Sequence, residues 1–430
     1  MKKLNILVVS NLFPPYYIGG YELFCKDIVY GLEKRGHAVR VITSTYKNNK
    51  DKKENNIVRV LHLLNSFEKG EKAKYTQDQL ESIKISDQRA LLKEINSFRP
   101  DLLYVWHMAN LHKNLMNTLI CSNIPIVYHL EDRWIPSFYY ERFSYYLGIH
   151  VSYLRYFLRD IWSLTDFIPI LKKVWWRFLR FFEKRTQYES DPLPRLTLRK
   201  SIFLSKALRD EHRKLGFDVK GSIIVPNGIN ITHFEQKPKS FAGKNAKLLY
   251  VGRIAEKKGV QTLIKVIRLL RLKGFHPTLT IVGDTEDPSF LSYLKRLAGE
   301  YGVIGQIQFV GGVKREEMPS YYQKHDILLF PSIWEEPFGL VLIEAMAARI
   351  PIVSTRTGGT KDFLRHQKNA LIFEPMDTKT AARHIITLLT SKQTYLSLSE
   401  KAYSFVRENY DVEKSIDAIE KYLLRQVKII

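Results

Sequence analysis

Cysteine is almost missing from this chain. Among 430 residues only Cys25 and Cys121 occur, with no CxxC and no Cys/His cluster. A disulfide framework and a cysteine-based zinc site are therefore not expected, and a reducing compartment, the cytoplasm, is. Long apolar runs are lacking too: no stretch approaches the roughly eighteen predominantly apolar residues of a spanning helix, so any membrane contact should be peripheral. The opening MKKLNILVVSNLFPP begins basic, but its apolar run is brief and passes directly into prolines, as a first strand does and a signal peptide does not. Acidic residues are outnumbered, 44 against 67 lysines and arginines, for a formal charge of +23. That imbalance implies an anionic partner, which charge alone leaves open among nucleotide phosphates, an acidic membrane surface, a lipid-linked pyrophosphate and nucleic acid.

The chain is too long for one ordinary hydrophobic core, and its 45% hydrophobic content suffices for two domains. Buried-strand patterns at 5–10 and 39–44 flank a helical pattern at 22–35, a βαβ opening. Further strands are expected at 100–107 and 125–130, ending in His107 and in His129, Glu131 and Asp132, and another at 201–204. Residues 47–56 read as a surface loop and 76–98 as a solvated helix. A hinge is expected near 218–222, after which strands at 222–225, 247–251, 278–282, 307–310, 327–330, 352–354 and 371–373 imply a second doubly wound domain.

The most informative stretch is 331–362, PSIWEEPFGLVLIEAMAARIPIVSTRTGGTKD. A short apolar strand ends at Pro331, and the pattern Leu340, Val341, Ile343, Ala347 predicts a helix from near Phe338. Loops of this kind sit at the carboxyl ends of strands, where α/β proteins bind ligands, and the helix start offers free N–H groups to an anion. Glu336 stands at that mouth and Glu344 two helical turns further on, so both carboxylates are placed to face one crevice. Paired carboxylates beside an anion site point to sugar chemistry.

The chain resembles the retaining, GT-B-fold glycosyltransferases recognised by two glutamates separated by seven residues. Alongside Glu336 and Glu344 it carries GRIAEKKG at 252–259, VPNGIN at 225–230 and FPPYYIGGYE at 13–22. The resemblance implies two Rossmann-like α/β domains facing a deep cleft: residues 1–218 on the acceptor side, completed by a helix at about 406–430, and 219–405 for the nucleotide sugar. It implies Arg253 and Lys258 on the donor diphosphate, Glu344 on the ribose, Glu336 on the transferred sugar, and Phe338, Gly339 and Leu340 beside the nucleotide. Gly19 and Gly20 would line the donor-acceptor junction, and His107, His129, Glu131 and Asp132 would reach sugar or acceptor. With fixed cations on the leaving group, neither a metal nor another cofactor is expected. Relatives commonly carry histidine where Glu131 stands. Strand alternation offers His129 for its place, since it shares a face with Glu131. Arg349 replaces a helix-ending glycine, Thr285 follows Gly283 and Asp284 where a second glycine is usual, and the amides of Gly358, Gly359 and Thr360 are expected at phosphate or donor hydroxyls, with Asp362 in place of the common glutamate.

The resemblance fails mainly at 134–200, an insertion. Residues 134–188 hold eighteen aromatics in fifty-five, against 12% overall. On a helix over 170–185, Trp175, Phe178, Phe181 and Phe182 oppose Lys172, Lys173, Arg177, Arg180 and Lys184, and 151–164 repeats the pattern. Such helices suit an anionic membrane surface, or they cover the domain or a partner subunit. No RNP, KH or helix-turn-helix pattern supports a specific nucleic-acid partner.

The sequence thus predicts transfer of a sugar from a nucleotide diphosphate donor to a saccharide or lipid-linked acceptor in polysaccharide assembly, on the cytoplasmic face of a membrane. Its rivals are a catalytically silent scaffold, motivated by Glu131, and a soluble sucrose-synthase-like or phosphorylase-like enzyme.

Overall fold

A computed structural model describes residues 2–47, 56–64, 75–139, 196–241, 243–285 and 287–427. They fall into two units, one formed up to Pro226 together with the last helix from Glu413, the other by Asn227–Val412. Both are parallel α/β sheets with helical crossovers, the two Rossmann-like domains of a GT-B fold. The two amphipathic patterns of the insertion, 151–164 and 170–185, lie outside the described residues. No helix among the described residues is long and apolar enough to cross a membrane.

In the first unit β1 (Asn5–Ser10), β2 (Ala38–Ser44), β3 (Ile57–Leu61), β4 (Leu102–His107), β5 (Ile126–Leu130), β6 (Ser201–Phe203) and β7 (Ile223–Ile224) form one sheet in the order β3-β2-β1-β4-β5-β6-β7. Central β1 pairs Val8 with Val41 on one side and with Tyr104 of β4 on the other. Both strands are near-continuous apolar runs because helices cover both faces of a parallel sheet. Two corrections to the sequence reading follow. Strand β3 falls between the expected loop and the expected helix; it is a half-buried edge with Arg59 at its centre, so no apolar run announced it. Strand β7 pairs with β6, Ile202 opposite Ile223, and so closes the first sheet where the sequence reading had opened the second. The division consequently falls after Pro226, later than the hinge expected near 218–222.

In the second unit β8 (Lys247–Val251), β9 (Thr278–Val282), β10 (Ile307–Gly311), β11 (Ile327–Phe330), β12 (Ile352–Ser354) and β13 (Leu371–Ile372) take the order β10-β9-β8-β11-β12-β13. Helices Val260–Leu272 and Thr378–Thr390 contribute Ile264, Ile267, Ile385 and Leu388 to its core, against Leu248, Leu279 and Leu329.

The last helix, Val412–Val427, returns to the first unit with Ile416, Ile419 and Leu423 buried. Ile416 occupies the space that a side chain on Gly31 would need: a Cβ there would lie 2.5 Å from its Cδ1. Arg35 flanks the contact with pairs to Glu413 at 2.9 Å, Asp417 at 2.6 Å and Glu420 at 2.9 Å. Glu413 and Asp417 are largely exposed, so these pairs guide the helix more than they hold it, and apolar burial does the holding. Ile416→Ala is therefore expected to destabilise the first unit by about 2–5 kcal/mol, and urea unfolding followed at tryptophan should show the lowered midpoint.

Candidate active site

In an open α/β sheet, ligands bind where the strand order reverses, because loops from the two adjoining strands run to opposite sides and leave a crevice. In the second sheet that point lies between β8 and β11. The loop after β8 carries Arg253 and Lys258, and the loop after β11 carries Glu336. Across the reversal Lys258 Nζ donates to Glu336 Oε1 at 2.7 Å and Oε2 at 2.9 Å, with the two side chains 16% and 6% exposed. Ser332 Oγ donates to Oε1 at 2.5 Å. A buried carboxylate left alone is costly, and this one is fully partnered.

Backbone crowding sets this geometry. Gly259 follows Lys258 at φ +72°, and a Cβ there would lie 2.1 Å from the carbonyl oxygen of Pro331. Gly358, at φ +53°, would put one 2.1 Å from the carbonyl oxygen of Glu336. The loops after β8, β11 and β12 thus touch main chain to main chain around Glu336. One expectation falls here: Gly358 N–H donates to Glu335, Gly359 N–H to the Glu336 carbonyl at 2.6 Å, and Thr360 N–H to the Thr357 carbonyl at 3.1 Å. All three amides are spent within the protein, so this loop clamps Glu336 instead of offering donors to a ligand.

The helix after β11 spans Leu340–Ala347 and starts two residues later than expected, because Gly339 at φ +100° turns the chain into it. No side chain caps that start. Phe338 sends its ring into a cluster with Phe363 and Tyr410, at 5.1 and 5.7 Å between centroids, which leaves its backbone as the part near the helix mouth. Glu344, about one turn in, accepts from Tyr322 Oη at 2.8 Å. Burial, reinforced by Glu344, pushes the Tyr322 phenol well above its usual range, so it remains a donor. Arg349 does end the helix left-handed, at φ +56°. Its guanidinium lies 3.5 Å from the Tyr403 ring centroid and pairs with Glu400, contacts that offset the roughly 1 kcal/mol cost of such a cap without glycine.

In the first sheet the order reverses between β1 and β4. Asn11, just beyond β1, donates through its backbone N–H to the His107 carbonyl at 2.7 Å, and its side-chain oxygen accepts from Tyr21 Oη at 2.9 Å. Tyr21 stacks on His107, 4.6 Å between centroids, and His107 Nε2 lies 3.0 Å from Asp132 Oδ2. Gly19 and Gly20 enter the following helix, where the buried Glu22 carboxylate accepts from the Ile18 and Gly19 amides at 3.0 Å each. Burial raises the Glu22 pKa and those amides pull against it. A Cβ on Gly19 would meet nothing nearer than Glu22 Oε2 at 3.6 Å, so no described atom demands glycine there.

His129 does not take the place of the missing histidine. It has no exposed surface, stacks on Trp106 at 3.9 Å, and meets Tyr104 Oη through Nδ1 at 2.6 Å. Strand alternation does put it on the side of Glu131, with Nε2 3.4 Å from Oε1. It lies beside Glu131 in the core and has no surface to give a ligand.

Sequence reasoning missed Ser332, Tyr322, Asn11 and Tyr21. Asn11 had a signal, an amide directly after a buried strand. Tyr322 had none, lying in a different helix from the carboxylate it serves. Among the described residues no three His, Cys, Asp or Glu side chains are grouped to hold a metal ion.

Gly259 can be tested against Gly274, which shares its left-handed backbone, φ +76°, but has open space where a Cβ would go. Gly274→Ala should cost about 1 kcal/mol of backbone strain, whereas Gly259→Ala adds a main-chain clash and should cost at least about 2 kcal/mol more. Paired thermal melts would read the difference.

The chain is 23% identical over 397 residues to an uncharacterized glycosyltransferase of Methanocaldococcus jannaschii, covering 88% of this chain and 87% of that one. Over 212 residues it is 28% identical to the lipopolysaccharide 1,2-N-acetylglucosaminetransferase of Salmonella typhimurium, 46% of this chain and 55% of that protein. Anabaena HepE, whose crystal structure holds UDP and glucose, shares the fold at a TM-score of 0.67 and 18% identity, over 98% of this chain and 99% of its own. The Glycosyltransferase Family 4 model matches residues 18–233 and the Glycosyl transferases group 1 model residues 232–405, and the chain therefore belongs to these glycosyltransferases.

Proposed function

We infer that the enzyme moves a sugar from a nucleoside diphosphate donor, with retention, to a membrane- or lipid-linked saccharide in surface polysaccharide or glycoconjugate assembly. The observation that carries this is the Lys258 to Glu336 pair across the β8/β11 reversal. It sets a fixed cation and a carboxylate side by side where an anionic leaving group and an electron-poor sugar carbon would meet. Support for the donor class comes from the UDP in the Anabaena neighbour, and for the acceptor class from the lipopolysaccharide substrate of the Salmonella relative.

When the sugar-phosphate bond breaks, negative charge grows on the diphosphate and positive charge on the sugar. Arg253 and Lys258 meet the first without reorganising, which lowers the barrier more than it aids ground-state binding. Glu336 meets the second. Its oxygens are engaged by an ammonium and a hydroxyl, which blunts it as a nucleophile and suits it to electrostatic stabilisation. Glu344, fixed by Tyr322, takes the ribose, and the uncapped helix start at Gly339 and Leu340 offers amides to phosphate. In the first unit the partly open Asp132 carboxylate, held by His107, is the group that orients the acceptor. The aromatic, basic helical patterns at 151–164 and 170–185 bring the enzyme to an anionic leaflet on the cytoplasmic side.

Arg253→Ala and Lys258→Ala should each weaken nucleoside diphosphate binding and cut turnover about a hundredfold. Glu336→Gln should lose turnover without losing nucleotide affinity, and Glu344→Ala should mainly lose affinity. Calorimetry beside an assay of donor-dependent nucleoside diphosphate release separates these outcomes, and absence of release with every donor and acceptor would mark a silent scaffold. Replacing Trp175, Phe178, Phe181 and Phe182 by serine should abolish flotation with anionic vesicles at low salt while nucleotide affinity stays unchanged. Equal flotation of both forms would remove the membrane part of the reading.

A further inference from the structure

Lys258 is the cation that the function proposed above assigns to the diphosphate, yet its ammonium does not stand alone. Both Glu336 oxygens lie within 2.9 Å of Nζ, in a site where the two side chains are 16% and 6% exposed. Ser332 fixes one of those oxygens at 2.5 Å, and the Gly359 amide fixes the backbone carbonyl of Glu336 at 2.6 Å, so both the carboxylate and the main chain that carries it are held. With two of its three N–H bonds on those oxygens, the ammonium has one left for a phosphate oxygen. Its charge, however, is shared with a carboxylate in a mostly buried site, so a phosphate must compete with Glu336 for it.

We propose that Glu336, through its grip on Lys258, weakens the hold of the site on the free nucleoside diphosphate and so speeds product release. The effect is directional in the reaction. While the sugar is attached, the diphosphate bears less negative charge and an electron-poor carbon faces the carboxylate. After transfer that carbon has gone with the acceptor, the terminal phosphate carries additional negative charge, and the carboxylate now competes with it for the Lys258 ammonium. One pair of side chains thereby favours the transition state and disfavours the product.

This rests on the assignment of the diphosphate to Lys258, and a double-mutant cycle separates the two ideas. Wild type, Glu336→Gln, Lys258→Met and the double variant of the full chain are titrated with UDP, GDP and ADP, and the nucleotide that binds wild type best is followed by stopped-flow displacement. Glu336→Gln should bind that nucleotide roughly tenfold tighter, equivalent to about 1.4 kcal/mol, and release it correspondingly more slowly. In the Lys258→Met background the gain should shrink to about twofold or less. Glu336→Gln binding no tighter than wild type, or gaining equally in both backgrounds, overturns the proposal while leaving the diphosphate assignment intact. Lys258→Met binding as well as wild type, or no nucleotide binding wild type at all, overturns the assignment itself. If Glu336→Gln fails to give a wild-type circular dichroism melt, Glu336→Ala is measured in its place with the same expectations.

Discussion

Contact between main-chain segments at the carboxyl edge of the second sheet is the constraint on which this enzyme rests. Gly259 lies against Pro331 and Gly358 against Glu336, each so close that even a methyl group would collide with a carbonyl oxygen. With side chains excluded from between them, three strand-end loops form one rigid layer. Only then can a lysine from the first loop and a glutamate from the second meet at hydrogen-bond distance. Rigid placement matters for electrostatic catalysis, since a dipole or charge that must reorient during the reaction loses much of its advantage.

The two sheets solve the same problem with different materials. At the reversal of the second, charge faces charge, Lys258 on Glu336, with hydroxyls from Ser332 and Tyr322 fixing the carboxylates. At the reversal of the first, aromatic rings do the positioning: Tyr21 stacks on His107, and Trp106 on His129 beneath Glu131. Stacking fixes the His107 ring, and His107 in turn meets the Asp132 carboxylate at 3.0 Å.

Much of this was legible in the sequence, for identifiable reasons. Strands such as β1, β4 and β11 are buried on both faces and must be apolar throughout, so they announce themselves. The residues of the Lys258 to Glu336 contact lay in motifs that the family resemblance singled out. What stayed hidden was decided by tertiary structure. Nothing local to Ile223 and Ile224 tells which sheet they join, and Arg59 at the centre of β3 masks an edge strand. That Gly358, Gly359 and Thr360 spend their amides internally depends on where a neighbouring loop comes to rest. The burial of His129 depends on Trp106, which lies on another strand.

The helix Val412–Val427 belongs to the first unit although the whole of the second precedes it in the chain. On the ribosome, therefore, the first sheet is made early, but the groove beside Gly31 stays uncovered until Ile416 emerges. The second unit, contiguous from Asn227 to Val412, has no such wait. Closing a loop of that length before native contacts reward it is slow compared with local folding. The amino-terminal half thus depends on a segment made only after the second unit, and a premature stop shortly before Ile416 would leave its core open while sparing the second unit.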